Sequence, residues 1–247
     1  MKQALLFGFV IASLGLGAGC AREQAVAPAA EPAPAPVSAV LTAEAQQALT
    51  PEAVLEALKE GNRRFVEGRL INRDFIAQAE ATASGQFPMA AILSCVDSRV
   101  PPEILFDQGI GDVFVGRVAG NVEDVNMIGS MEFATKAAGS KLIVVLGHSS
   151  CGAIKGAADG VDFGNLTDLL EEFEPALERA KAAAGEGATD SKNAAYIEAA
   201  VEENVRQTMQ DIVERSPVIA EQLANGEIGL VGGVYDLASG RVTWLDS

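Results

Sequence analysis

Four short apolar runs, separated by stretches with helical spacing, constrain this chain more than any other feature. They are Met89 to Leu93, Val113 to Val118, Leu142 to Leu146 and Ile228 to Tyr235. The middle two are rich in Val and Ile and do not alternate with polar residues. Strands that read this way are covered on both faces, as in parallel sheets wrapped by helices. A fifth run, Val242 to Leu245, follows a turn at Ala238, Ser239 and Gly240. It is expected to pair antiparallel with the run before it, as a hairpin. The fold class expected is therefore α/β: a mainly parallel sheet with one C-terminal antiparallel strand, flanked by helices.

Helix signals fill the gaps. Thr50 followed by Pro51 reads as an N-cap with proline at the first helical position. Val54, Leu55, Leu58 and Phe65 then keep helical spacing to about Glu67. Ile197, Val201, Val205, Thr208 and Ile212 recur every three or four residues in a second helix, from about Asn193 to Arg215. A third candidate, Leu166 to Ala184, is rich in Leu, Glu and Ala.

The first twenty residues are a different material. Lys2 precedes an apolar run from Leu5 to Leu16, closed by Gly17, Ala18, Gly19 and Cys20. The run is short for a bilayer span, and its order of basic, apolar and small residues is that of a cleavable secretory signal. A Cys after small residues resembles the lipobox of bacterial lipoproteins, with Gly17 where an aliphatic residue usually stands. That resemblance implies a signal peptide over 1–19 and lipid on Cys20. It further implies an exported protein of the bacterial cell envelope, tethered to a membrane on the periplasmic side. The following Ala/Pro-rich stretch reads as an extended spacer, giving a linker over 20–40 and one catalytic domain over 41–247. The chain carries 34 acidic against 18 basic residues, a formal charge of -16. Nucleic acid is therefore excluded as a partner, since phosphate binding needs a basic surface.

Two segments carry chemistry. Ser94-Cys95-Val96-Asp97-Ser98-Arg99 ends the first strand, and Gly147-His148-Ser149-Ser150-Cys151-Gly152 ends the third. Open α/β sheets bind ligands at the carboxyl ends of their strands. Cys95, His148 and Cys151 can thus converge. Two thiolates and an imidazole suit Zn²⁺ and leave a fourth position open, the hallmark of catalytic zinc. His148 is the only histidine in the chain. A Cys95–Cys151 disulfide is the rival reading, and it would leave His148, Asp97 and Arg99 unexplained.

The two segments resemble the signature motifs of the β-class carbonic anhydrases. The likeness extends to Leu58 through Phe65, to Phe106-Asp107-Gln108-Gly109, and to Gly111 through Val115. It continues through Arg117-Val118-Ala119-Gly120-Asn121, where Val118 replaces an Asn, and the closing hairpin. The resemblance implies one zinc per chain on Cys95, His148 and Cys151, with an Asp97–Arg99 dyad beside the open position. It implies reversible hydration of CO₂ to bicarbonate and a proton by zinc-activated water, with Gln108 near the substrate. Gly152 follows Cys151 at an expected helix start, where it either presents backbone N–H groups to a substrate anion or serves as a turn glycine. The resemblance also implies a homodimer or dimer-based tetramer. Hydrolysis of CS₂ or COS on the same centre, and a non-catalytic zinc-binding envelope protein, are the alternatives.

Overall fold

A computed structural model describes residues 35–246. The signal sequence, Cys20 and most of the spacer lie outside the described residues. The sheet has five strands: β1 (Ala90–Ser94), β2 (Val113–Arg117), β3 (Leu142–His148), β4 (Gly229–Tyr235) and β5 (Val242–Trp244). Their spatial order is β2-β1-β3-β4-β5. All neighbours pair parallel except β4 and β5, which pair antiparallel as the hairpin reading expects. Every residue of β1 and β3 is buried, which explains why these runs carry no polar alternation.

Among the described residues ten α-helices surround the sheet: α1 (Ala43–Gln47), α2 (Pro51–Val66), α3 (Phe75–Thr82), α4 (Pro102–Leu105), α5 (Val125–Glu132), α6 (Gly152–Ala158), α7 (Asn165–Glu171), α8 (Glu174–Ala184), α9 (Ala194–Arg215) and α10 (Pro217–Ala224). On one face Val54 and Leu58 of α2 pack with Leu105, Phe106, Ile92, Val144 and Leu146. On the other, Val205 and Ile212 of α9 and Ile219 of α10 cover Leu93, Ile143 and Val145. Each such side chain taken fully from water contributes roughly 1.5–3 kcal/mol.

Thr50 caps α2 as its sequence indicates, its hydroxyl accepting from the Ala53 N–H. The run from Leu166 to Ala184 is a correction: it is two helices, broken at Glu172 and Phe173. Pro175 is the cause. It offers no N–H, and its ring collides with the carbonyl four residues earlier, at Glu171, where α7 ends. The folded part also starts before residue 41, because Val37 makes a parallel bridge to Arg73.

Candidate metal centre

β1 runs between β2 and β3, so the chain leaves it toward one side and later returns on the other. A crevice opens at the carboxyl ends of strands at such a switch point. Cys95 directly follows β1, and His148 is the last residue of β3. Cys151 sits at the N-cap of α6. Between them Ser150 takes a left-handed φ of 55°, uncommon for a residue with a side chain. This bend turns the chain back, so that His148 and Cys151 address one point. Ser149 secures the bend. Its N–H donates to the Tyr235 carbonyl at 2.9 Å and its hydroxyl accepts from the Leu237 N–H at 3.0 Å.

Ligand atoms of Cys95, His148 and Cys151 all lie within 4.8 Å of one another, and all three residues are buried. Both cysteines are free thiols. His148 Nδ1 lies 3.0 Å from the Ser149 carbonyl. A carbonyl can only accept, so Nδ1 carries the proton and Nε2 presents a lone pair. That Nε2 is buried and has no hydrogen-bond partner. An orphaned buried acceptor facing two sulfurs fits a cation with a taste for soft donors, and the donor set fits zinc. The two sulfurs face each other, and that lowers the Cys95 thiol and, together with burial, raises that of Cys151. A cation would relieve that opposition, since metal ligation takes both sulfurs as thiolates.

Asp97 stands at the rim. Its carboxylate accepts from Arg99 Nε at 2.9 Å and Nη2 at 2.6 Å, and the Arg99 backbone N–H adds a third bond at 2.9 Å. These bonds hold Asp97 well below the usual carboxylate range. Its Oδ2 lies 3.9 Å from His148 Nε2, so the anionic oxygen faces the ligand cluster without belonging to it.

The other expected residues are placed differently. Gln108 is buried and donates its amide to the Phe106 carbonyl, which commits it to the turn after α4. Gly152 begins α6, and the nearby backbone N–H groups of Ile154 and Ala153 counter part of the rise of the Cys151 thiol. Val118 takes no polar role. Its backbone pairs with Ser94 and Val96, and its side chain packs with apolar neighbours. Sequence reasoning missed Arg117, which donates to the carbonyls of both Cys95 and Asp97 and so pins the metal loop. It also missed Gly120, whose N–H donates to Cys95 Sγ at 3.3 Å.

The family model for carbonic anhydrase matches residues 90–242. This chain belongs to the β-class carbonic anhydrases. Carbonic anhydrase 2 of Mycobacterium tuberculosis is 39% identical over 202 residues, covering 79% of this chain and 93% of that protein. A solved β-carbonic anhydrase of Aspergillus fumigatus superposes with a TM-score of 0.63 at 25% identity, over 79% of this chain and 90% of that one. A tetrameric β-carbonic anhydrase of Sordaria macrospora gives 0.59 at 27% identity, over 69% and 90%. The carbonic anhydrase match spans both ligand-bearing strands, so family and geometry single out the same cluster.

Proposed function

We propose that this protein hydrates CO₂ reversibly to bicarbonate and a proton at a zinc centre held by Cys95, His148 and Cys151. The observation that carries the reading is the unpartnered His148 Nε2, buried between two free thiols with an ionised Asp97 beside it. Bound zinc would lower the pKa of a coordinated water from ~15.7 to about 7, an effect for which carbonic anhydrases are the standard example. The residues of this chain supply orientation. Asp97 is held ionised by Arg99, so it can only accept a hydrogen bond. A reacting water must therefore point its hydrogen at Asp97 and its lone pair elsewhere, toward the carbon of CO₂. Arg117 fixes the backbone at Cys95 and Asp97, so the ligand and the acceptor keep one spacing.

A stopped-flow pH-indicator assay tests the reading. Zinc-loaded protein should accelerate CO₂ hydration, and Asp97→Asn should reduce kcat/KM by about a hundredfold. No acceleration over buffer would reject the activity.

We further infer that Cys20 carries lipid, and that residues 20–34 tether the domain to an envelope membrane on the periplasmic side. The basic, apolar, small order before Cys20 supports this. Cys20→Ser should move the protein from the membrane to the soluble fraction; unchanged partitioning would reject the anchor. A homodimer or dimer-based tetramer is the assembly we propose. Support comes from β2, an edge strand whose Val113, Phe114 and Val115 are only half-buried. Exposed Val125 and Phe133 lie beside it in a groove of about 730 Å³. Sedimentation velocity should show a species of two or four chains, and a monomer at micromolar concentration would reject it.

A further inference from the structure

Thiolates push more charge onto a metal than imidazoles do, and that charge opposes the acidification of water. N–H groups aimed at the sulfurs draw charge back. Cys95 Sγ receives two of them, from Asp97 at 3.4 Å and from Gly120 at 3.3 Å. The first is local, two residues along the same loop. The second crosses from the segment after β2 and needs that segment held in one orientation.

The hold comes from α9. Gly120 has a left-handed φ of 69°, and a Cβ there would lie 2.3 Å from the Phe173 ring, so only glycine fits. The peptide that follows it is clamped at both ends. Its carbonyl accepts from Asn204 Nδ2 at 2.7 Å, and its N–H, that of Asn121, donates to the Val118 carbonyl at 3.0 Å. Val118 in turn donates to Ser94, the last residue of β1. Asn204 is 2% exposed and sits on the apolar stripe of α9, between Val201 and Val205. Burying an amide among apolar neighbours is costly unless it is bonded, and its partner here is this one carbonyl.

We propose that Asn204 is a positioning residue for the metal centre: by clamping the Gly120–Asn121 peptide it aims the Gly120 N–H at Cys95 Sγ, and so tunes that sulfur as a ligand. The inference rests on the zinc-centre reading above, and it adds a residue of α9, far along the chain from the Cys-x-Asp-x-Arg and His-x-x-Cys segments. Without Asn204 the Gly120 carbonyl loses its donor, the turn relaxes, and Cys95 keeps only the Asp97 N–H. The sulfur becomes a stronger donor, and the centre a poorer activator of water.

Cobalt(II)-substituted protein reads this directly through its sulfur-to-metal charge-transfer band. In Asn204→Leu, of similar size, the band should move to lower energy, and kcat/KM of the zinc form should fall about tenfold. Thr208→Val is the control. It removes the neighbouring bond from α9 to the Asn121 carbonyl, at 3.4 Å, and should leave the band in place. An unmoved band in Asn204→Leu, or equal shifts in both variants, would overturn the assignment. A second measurement needs no variant. With NMR-active cadmium in the wild-type site, the Gly120 amide proton should show scalar coupling to the metal through Cys95 Sγ, and a zero coupling there would also overturn it. Absence of any charge-transfer band in wild-type protein would sink the metal centre itself, an outcome distinct from a normal band that Asn204→Leu fails to move.

Discussion

Glu123 shows how a single buried acid leaves a measurable trace. It is 8% exposed, bonded to Arg215 at 2.8 Å, and faces Asp211. Burial, with a smaller push from Asp211, raises its pKa above the usual value despite Arg215. The folded state therefore binds a proton more tightly than the unfolded chain does. Stability from this group is fully present below the ordinary carboxylate pKa and declines as pH rises through the raised value. Glu123→Gln removes that slope. The melting temperature of the variant relative to wild type should climb as pH rises above the ordinary carboxylate range. A difference independent of pH would show that burial leaves this acid untuned. At the same scale, Cys95, Asp97, Arg99, His148 and Cys151 were legible because their chemistry is written in spacings of two and three residues. Gly120 and Asn204 were not, because what matters is a bond between segments far apart in sequence. The one local sign was a polar residue at an apolar position of α9. Asp107 lies in a family-like segment. Its buried carboxylate proves to be a structural knot, held by Arg64, Arg73 and the Ile71 N–H.

Elements were legible where period and caps agreed. The Thr50–Pro51 start of α2 stands in the structure, and the helix expected from about Asn193 to Arg215 is α9, which Asn193 caps. Short helices such as α4 and α6 have too few residues to show a period, and α7 and α8 merged because Leu, Glu and Ala continue across a break that Pro175 alone enforces. Close packing between elements is equally invisible to propensity. Gly61 lies inside α2, where Ala should be better by about 1 kcal/mol. A Cβ at Gly61, however, would stand 1.8 Å from the Phe106 carbonyl oxygen. That oxygen belongs to the backbone after α4 and cannot rotate away. The next residue of α2, Asn62, ties the same neighbourhood together through the Leu105 and Gly240 carbonyls and the Val242 N–H. Gly61→Ala should thus destabilise the protein by about 1–3 kcal/mol, against its propensity. Denaturant unfolding would show this as a lower midpoint, and an unchanged or raised midpoint would mean that α2 does not approach α4 this closely.

For the molecule as a whole, the ligand cluster ties the carboxyl ends of two hydrogen-bonded strands, β1 and β3, to a helix that otherwise meets them through packing. Cys95 directly follows β1, His148 ends β3, and Cys151 is the N-cap of α6, which leads into the apolar cluster of α7, α8 and α9. Without a cation these three groups are a weak point: one sulfur must keep a proton and His148 Nε2 is buried without a partner. An unmet buried acceptor costs about 1–3 kcal/mol. Zinc bound only by the folded chain adds linkage free energy, about 4 kcal/mol when its concentration is a thousand times the dissociation constant. For a domain of this size each kcal/mol moves the melting temperature by about 2–4 °C. Chelated protein should therefore melt roughly 10 °C below the zinc form, with the difference growing as zinc is raised. Hydrogen exchange should locate the loss. Amides of the loop after Cys95 and of the first turn of α6 should exchange faster, while β1 and β3 stay protected in their two-sided burial. Equal melting temperatures with and without zinc would mean that the sheet and its flanking helices fix the three ligands unaided, and that the metal contributes chemistry but no stability.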